Sequence, residues 1–317
     1  MNVSILITCL NERQNLKLLL PSIERLNKGN NNLEVIIRDD GSSDGTAEWV
    51  ERHFKWVKLI KGDRNLGFAR SNNAAFMYAK GDIIVFVNAD TFLDPDFLVQ
   101  GLAIFEKFPK AVGVNPNMIM PWVMDFDVYL KTDRAEMPAW EYQLTPFGYC
   151  QYVSVGKTIR KTNFMTGGGC FLKREALNTG EDVFDKNLGK VTYCEDSDLS
   201  MRLIERGGEI IYAPQAILYH NQTIKKLFGP SELVKLLKIT WNRFYILAKR
   251  NSTDRFIHNY PLYIVGIIKK MEYIGLSGSK KLIATLAGGV LAVPFLALFP
   301  YWLWISSKNG DSPAPKK

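Results

Sequence analysis

Residues 83–98 read IIVFVNADTFLDPDFL, and the fold turns on the first eight of them. Ile83 to Val87 is a short, β-branched apolar run, the pattern of a strand buried on both faces in a parallel sheet covered by helices. The run stops at Asn88-Ala89-Asp90, with further acid at Asp94 and Asp96. In such sheets ligands bind at the carboxyl ends of strands, where an Asn and an Asp two residues apart can hold a metal ion or a hydroxyl group. The same residues are ordinary turn formers that end a strand, and the local pattern leaves both readings open.

On either side of this stretch the chain repeats its rhythm. Val3 to Thr8, Leu33 to Arg38, Val57 to Ile60 and Ala111 to Val114 are apolar runs separated by amphipathic segments. Strand then helix, repeated, predicts right-handed crossovers and an α/β fold whose central sheet is mostly parallel, with helices on both faces. Residues 118–162 lose the rhythm and carry Trp122, Trp140, Tyr142, Tyr149 and Tyr152, either a substrate-facing wall or plain packing. After Gly167-Gly168-Gly169 a strand is expected over Cys170 to Leu172. A helix is expected from Glu195 to Arg206, ending at Gly207-Gly208, and a short strand over Glu209 to Tyr212.

With 317 residues, 47% of them hydrophobic, the chain has ample material for a core and is not a disordered protein. Its net charge of +8 suits an anionic partner, and charge alone does not choose among nucleic acid, nucleotide and membrane. Cys9, Cys150, Cys170 and Cys194 form no CxxC pair, which argues against structural zinc and for reduced thiols. The apolar run near Met1 is too short for a signal peptide, so the catalytic part is expected to stay in the cytoplasm.

The far end differs. Leu282 to Ile305 contains no charged residue and is long enough to cross a bilayer of about 30 Å, with Pro294 and Pro300 allowing a re-entrant path instead. Upstream, Leu233, Leu236, Leu237, Thr240, Trp241 and Phe244 fall on one helical face, with Lys235, Lys238, Arg243 and Lys249 on the rest, as in a basic helix lying on an anionic membrane. The expected organisation is a catalytic domain over 1–221, membrane-surface helices over 222–280, a transmembrane or re-entrant segment over 281–306, and a disordered tail over 307–317. The pairs Lys269-Lys270 and Lys280-Lys281 favour a catalytic domain on the cytoplasmic side.

Acids gather at Asp39-Asp40, Asp44, Asn88-Ala89-Asp90 and Glu195-Asp196-Ser197-Asp198. Singly, each reads as turn or capping chemistry. Three strands ending in acids at one sheet edge are harder to dismiss, because converging like charges need a cation or a hydrogen-bonding ligand.

The order of VSILITCLNE, VIIRDDGSSDGT, GDRNLGFARSNNAA, GDIIVFVNAD, GGGCFLKREAL, EDSDLSMRLIERGG and ILYH resembles the family 2 inverting glycosyltransferases of the GT-A fold, over roughly residues 1–221. That resemblance implies a nucleotide-sugar donor, with Thr8, Glu12, Asp39, Asp40, Arg70 and Asn88 on the nucleotide side. It implies Asp90 as the metal-holding acid of a DXD-type motif, His220 as a further metal or diphosphate contact, and Mg²⁺ or Mn²⁺ as the cofactor. Asp196 is implied as catalytic base, with Gly168, Glu195 and Asp198 near the sugars. Nucleic acid is not an implied partner, and the oligomeric state is left open.

The roles make chemical sense. A departing nucleoside diphosphate carries new negative charge that a hard cation offsets, and inversion needs a carboxylate that takes the proton of the attacking hydroxyl. Asn88 departs from the motif, contributing an amide without charge. The Asn form resembles the rhamnosyltransferase-like subgroup, which implies dTDP-rhamnose as a candidate donor alongside UDP-sugars. No QxxRW follows Asp196, so a single addition is expected rather than processive synthesis. The expected acceptor is a lipid-linked or cell-surface glycan precursor at the cytoplasmic face of the membrane. Two rivals are a degenerate membrane scaffold, which Asn88 favours, and a sugar nucleotidyltransferase, which would want a Gly-rich loop with Arg where TCLNERQN stands.

Overall fold

The computed structural model describes residues 1–144, 150–188 and 194–221, together with 242, 243, 245, 246 and 249. The chain divides into two compact units, Met1–Gln143 with Gln151–Lys226, and Leu144–Cys150 with Leu227–Lys317. The described residues belong almost wholly to the first. The expected surface helices, transmembrane or re-entrant segment and tail lie outside them. Among the described residues no helix is long and apolar enough to cross a membrane.

The first unit runs β1 (Asn2–Cys9), α1 (Arg13–Glu24), β2 (Asn32–Asp39), α2 (Thr46–His53), β3 (Val57–Lys61), α3 (Phe68–Phe76), β4 (Ile83–Asn88), β5 (Thr91–Leu93), α4 (Phe97–Lys107) and β6 (Ala111–Ile119). It continues with α5 (Phe126–Lys131), β7 (Trp140–Leu144), β8 (Cys150–Ser154), β9 (Arg160–Thr162), β10 (Phe171–Lys173), α6 (Arg174–Leu177), α7 (Glu195–Glu205) and β11 (Glu209–His220). A nine-stranded sheet in the order β3-β2-β1-β4-β10-β6-β11-β5, with β9 also on β11, forms the centre.

The period-2 alternation of the strands divides the core in two. Ile5, Ile7, Val35, Ile37, Ile83, Val85 and Val87 join α1 and α4 on one face, through Leu16, Leu20, Leu98 and Leu102. Leu6, Ile36, Ile84 and Phe86 join α3 and α7 on the other, through Ala69, Leu199 and Leu203. Burial on both faces is why these strands read as unbroken apolar runs.

The sheet is mostly parallel, as expected: six strands, among them the paired β6 and β11, run one way and three short strands run against them. β1 pairs in parallel with β2 and β4, and β2 with β3. Between β4 and β6, however, lies the antiparallel β10, and β5 and β9 run antiparallel to β11. These three strands have three residues each, too short to show a period, so their direction was not written in the pattern. β11 is three times the expected length. A register shift between Ala213 and Ile217 carries it past Pro214 and on to His220.

Among the described residues the rings of the aromatic insert pack on one another, and Tyr149 lies outside those residues. Trp140 stacks on Tyr152 with centroids 4.9 Å apart, Trp122 meets the same ring edge-on, and the Tyr152 hydroxyl donates to the Met118 carbonyl at 2.5 Å. Asp94 and Asp96 are also accounted for: both accept from Arg134, at 2.8 and 2.6 Å, and Asp94 also takes the Asp96 N–H. They tie the start of α4 to the segment after α5 and stand apart from the chemistry.

Candidate active site

Strand register levels the predicted acids. Thr8 pairs with Arg38 on one side and Asn88 on the other, so the carboxyl ends of β1, β2 and β4 form one edge. A cleft of about 400 Å³ opens there. Thr8, Glu12, Asp40, Asn88 and Asp90 line it, as do Phe68 and Ser71 at the start of α3.

Asp40 organises one wall. Its carboxylate pairs with Arg38 at 3.1 Å, accepts the Leu66 N–H at 3.1 Å and accepts a hydrogen bond from the Ser71 hydroxyl. The loop before α3 is thereby fixed to the end of β2. Asp39, expected to meet the nucleotide base, is 2% exposed and accepts the backbone N–H groups of Gly41 and Ser42 at 2.9 and 2.7 Å. It orders the turn after β2 and does not line the cleft. Arg70, expected at the diphosphate, is exposed on α3 and is likewise outside the lining.

On the opposite side β11 delivers His220 to Asp90 across 130 residues of sequence, through antiparallel pairing of His220 with Thr91. His220 Nε2 donates to Asp90 Oδ1 at 3.0 Å, the Asn88 amide nitrogen lies 3.4 Å from the same ring nitrogen, and the Asp90 carbonyl accepts the Asn221 N–H at 2.7 Å. Burial works to raise the Asp90 pKa. The hydrogen bond and charge of His220 outweigh it and hold the carboxyl below the usual carboxylate range.

Among the described residues no group of three or more His, Cys, Asp or Glu could hold a metal ion by itself. Asp90 and His220 nonetheless offer one carboxylate and one imidazole, with an amide beside them, and a hard divalent cation is commonly held by one or two carboxylates together with substrate phosphates. The donor set therefore fits an ion whose coordination a bound diphosphate completes.

Asp196 stands in the first turn of α7, behind Cys194, a non-glycine residue at φ 79° that starts the helix under strain. Its Oδ2 accepts the Gly167 N–H at 2.9 Å, and its Oδ1 is buried without a partner. Burial pushes its pKa up to about 6, against the pull of the Gly167 N–H and the charge of His220. Glu195 is 8% exposed, with an unpartnered Oε2, and burial together with the charge of Asp196 pushes it up to about 8. Ser200 holds this helix to the glycine loop, donating to the Asp196 carbonyl at 2.6 Å and accepting the Met165 N–H at 3.0 Å.

The glycines let the two walls meet. A Cβ at Gly168 would stand 3.2 Å from Asn88 Nδ2, and one at Gly167 would stand 2.6 Å from Asp196 Oδ1 and 3.0 Å from Phe68 Cζ. Gly167→Ala is accordingly expected to lower kcat at least about tenfold through a displaced Asp196, with donor KM nearly unchanged, in steady-state kinetics.

Asp198 does not reach the site. It is 0% exposed and pairs with Arg202 at 2.8 Å, one helical turn on, so it is a scaffold group rather than a sugar contact. The reading of the sequence passed over Phe68, although its motif had been singled out, because helix periodicity counts a Phe as core. It also passed over Gly167, whose signal was the unbroken glycine triplet.

Comparisons with known proteins bear on the family and the fold. The family model for glycosyl transferase family 2 matches residues 4–179. A poly-beta-1,6-N-acetyl-D-glucosamine synthase of Staphylococcus epidermidis is 32% identical over 120 residues, 36% of this chain and 28% of that protein. An undecaprenyl-phosphate 4-deoxy-4-formamido-L-arabinose transferase of Pseudomonas savastanoi pv. phaseolicola is 34% identical over 116 residues, 35% of this chain and 34% of that protein. The match thus spans only about a third or less of these curated relatives. Among solved structures, a mannosyltransferase from Pyrobaculum calidifontis in complex with GDP-Man and Mn²⁺ aligns with a TM-score of 0.54 at 19% identity, covering 97% of this chain and 86% of that one. Residues 1–349 of TarS from S. aureus align with a TM-score of 0.55 at 17% identity, covering 98% and 88%. These two alignments speak to the fold, which is a mixed α/β fold of the GT-A type. With more than half of its length matched by the family model, the chain belongs to glycosyl transferase family 2.

Proposed function

We propose that this glycosyltransferase moves one sugar, with inversion, from a UDP- or dTDP-sugar to a hydroxyl of a lipid-linked or cell-surface glycan precursor at the cytoplasmic face of a membrane. The observation that carries the reading is the glycine loop that links two groups: the Gly167 N–H donates to Asp196, a Cβ at Gly168 would stand 3.2 Å from Asn88 Nδ2, and Asp90, two residues on from Asn88, accepts from His220. In this reading Asp196 accepts the proton of the acceptor hydroxyl as its oxygen bonds to the anomeric carbon. The bond from that carbon to phosphate breaks on the opposite face, and the nucleoside diphosphate leaves with the electron pair. A Mg²⁺ or Mn²⁺ ion held by Asp90 and His220 would supply neutralisation of the charge on the diphosphate. Asn88, an amide in the motif's first position, suits contact with a donor hydroxyl and keeps dTDP-rhamnose among the donors.

The membrane half of the reading draws on sequence: the uncharged stretch Leu282 to Ile305 and the basic helix before it. The Pseudomonas relative's name likewise includes a polyprenyl lipid, undecaprenyl-phosphate, for that protein. The test is transfer by the full chain from UDP- and dTDP-sugars, with Mn²⁺, to polyprenyl-phosphate-linked and to soluble glycan acceptors. The anomeric configuration of the product is read by NMR, and binding to anionic vesicles by co-sedimentation. Inverted product and preference for the lipid-linked acceptor are expected. Retained configuration would overturn the base role of Asp196, and equal use of soluble acceptors without vesicle binding would overturn the membrane half.

A further inference from the structure

We propose that the ring of Phe68 is the wall against which the sugar of the donor packs, an inference that rests on the reading of the cleft as a nucleotide-sugar site. The cleft is otherwise lined largely by polar groups, among them Thr8, Glu12, Asp40, Asn88 and Asp90, and Phe68 is the aromatic residue among its described lining residues. Phe68 is only partly buried, and an aromatic ring left partly exposed in a polar cleft forgoes burial unless a ligand covers it. Of the parts of a nucleotide-sugar, the base and the C–H faces of the sugar offer the apolar surface a ring can meet.

Position decides between them. Phe68 Cζ stands 3.0 Å from where a Cβ on Gly167 would be, and the Gly167 N–H is the donor to Asp196. The ring therefore lies on the side of the proposed base, where the anomeric carbon must come for Asp196 to act on its acceptor. The nucleobase lies at the other end of the diphosphate.

The ring is also held in place. Gly67 adopts φ 80°, ψ 161°, a backbone conformation that essentially only glycine enters, and this turns the chain so that Phe68 opens α3 facing the cleft. Behind it, Phe184 meets Phe68 edge-on at 5.3 Å and Phe86 at 5.0 Å, and Asn73 clamps both backbone groups of Phe184, at 2.7 and 2.9 Å. Asp40 fixes the loop in front through Leu66 and Ser71. Such a backed, pre-set ring is the form a sugar platform takes, because little order is lost when the ligand arrives.

The experiment is calorimetric titration of the full chain, with Mn²⁺, by UDP and dTDP and then by UDP-glucose, UDP-N-acetylglucosamine, dTDP-glucose and dTDP-rhamnose. It is run on wild type, Phe68→Leu and Phe68→Ala. The quantity read is the sugar increment, the affinity of a nucleotide-sugar relative to its bare nucleotide. The increment of the best wild-type donor is expected to fall about tenfold in Phe68→Ala and by a smaller factor in Phe68→Leu, the loss of roughly one ring contact. Affinity for the bare nucleotide is expected to stay unchanged, which also shows that each variant is folded. Leucine keeps the packing on Phe184, so it remains informative if alanine unfolds the loop. Equal weakening of nucleotide and nucleotide-sugar would place the ring on the base and overturn the proposal, as would an unchanged increment in both variants or no increment for any donor in wild type. If wild type binds no nucleotide at all, the donor-site reading itself falls.

Discussion

Asp196→Asn is expected to lower kcat by about 10² to 10⁴, the range of a lost general base, while raising the melting temperature at pH 8. The first effect follows from the proposed role: an amide cannot take the acceptor's proton, yet it can still accept the Gly167 N–H, so the loop keeps its place. The second follows from burial. Because the folded pKa lies above the unfolded value near 3.8, the contribution of Asp196 to stability is fully present below that value. It is lost as pH rises through about 6, and Glu195 continues the loss up to about 8. At pH 8 wild type therefore holds a buried charge that the variant lacks, a difference on the order of 2 kcal/mol for a shift of this size. That corresponds to several degrees in a chain of this length, shrinking towards zero near pH 4. The same ionisation sets the wild-type rate, which should climb as pH rises through about 6. Loss of activity with a melting temperature lowered at every pH would make Asp196 a structural acid instead.

Asp90→Ala is expected to abolish the Mn²⁺-dependent part of nucleotide stabilisation. At a free nucleotide concentration near a hundred times Kd, a bound ligand raises stability by about 2.7 kcal/mol, which thermal melting reads as a shift of roughly 5–10 °C. In wild type one of UDP, dTDP and GDP should give such a shift with Mn²⁺ and much less without it. Mn²⁺ alone should give little, since Asp90 and His220 are too few donors to hold the ion without a diphosphate. In the variant the remaining partner is a neutral or cationic imidazole, and the metal-dependent increment should vanish while the metal-independent one persists. An equal shift from Mn²⁺ alone would point to a complete protein-built metal site. A variant that keeps the full increment would remove Asp90 from cation binding.

The candidate site was partly legible before the fold was known. Thr8, Glu12, Asp40, Asn88 and Asp90 all line the cleft, because each sits at or just past the carboxyl end of a strand whose apolar run is visible locally. Asp39 and Asp198 stand outside the cleft lining, each with partners of its own. A carboxylate looks the same in sequence whether it faces a ligand or is spent on the backbone of its own turn, as Asp39 is, or on an arginine one helical turn away, as Asp198 is. Arg202 at that spacing was the available warning. Arg70 belongs to a motif that reaches the cleft through Phe68 and Ser71 instead.

Local pattern alone carries the α/β class, the strands buried on both faces, the acid-rich edge at their ends and the helix opening at Glu195. Each of these is a local matter of side-chain period and strand or helix termination. Long-range packing sets the rest: β10 inserts antiparallel between β4 and β6, β11 runs on to bring His220 against Asp90, Gly167 holds Asp196, and Arg134 claims Asp94 and Asp96. Periodicity records which face of an element is buried. It carries no record of which distant element arrives there, because pairing direction and the partner of a given charge are settled by the packing of the whole sheet.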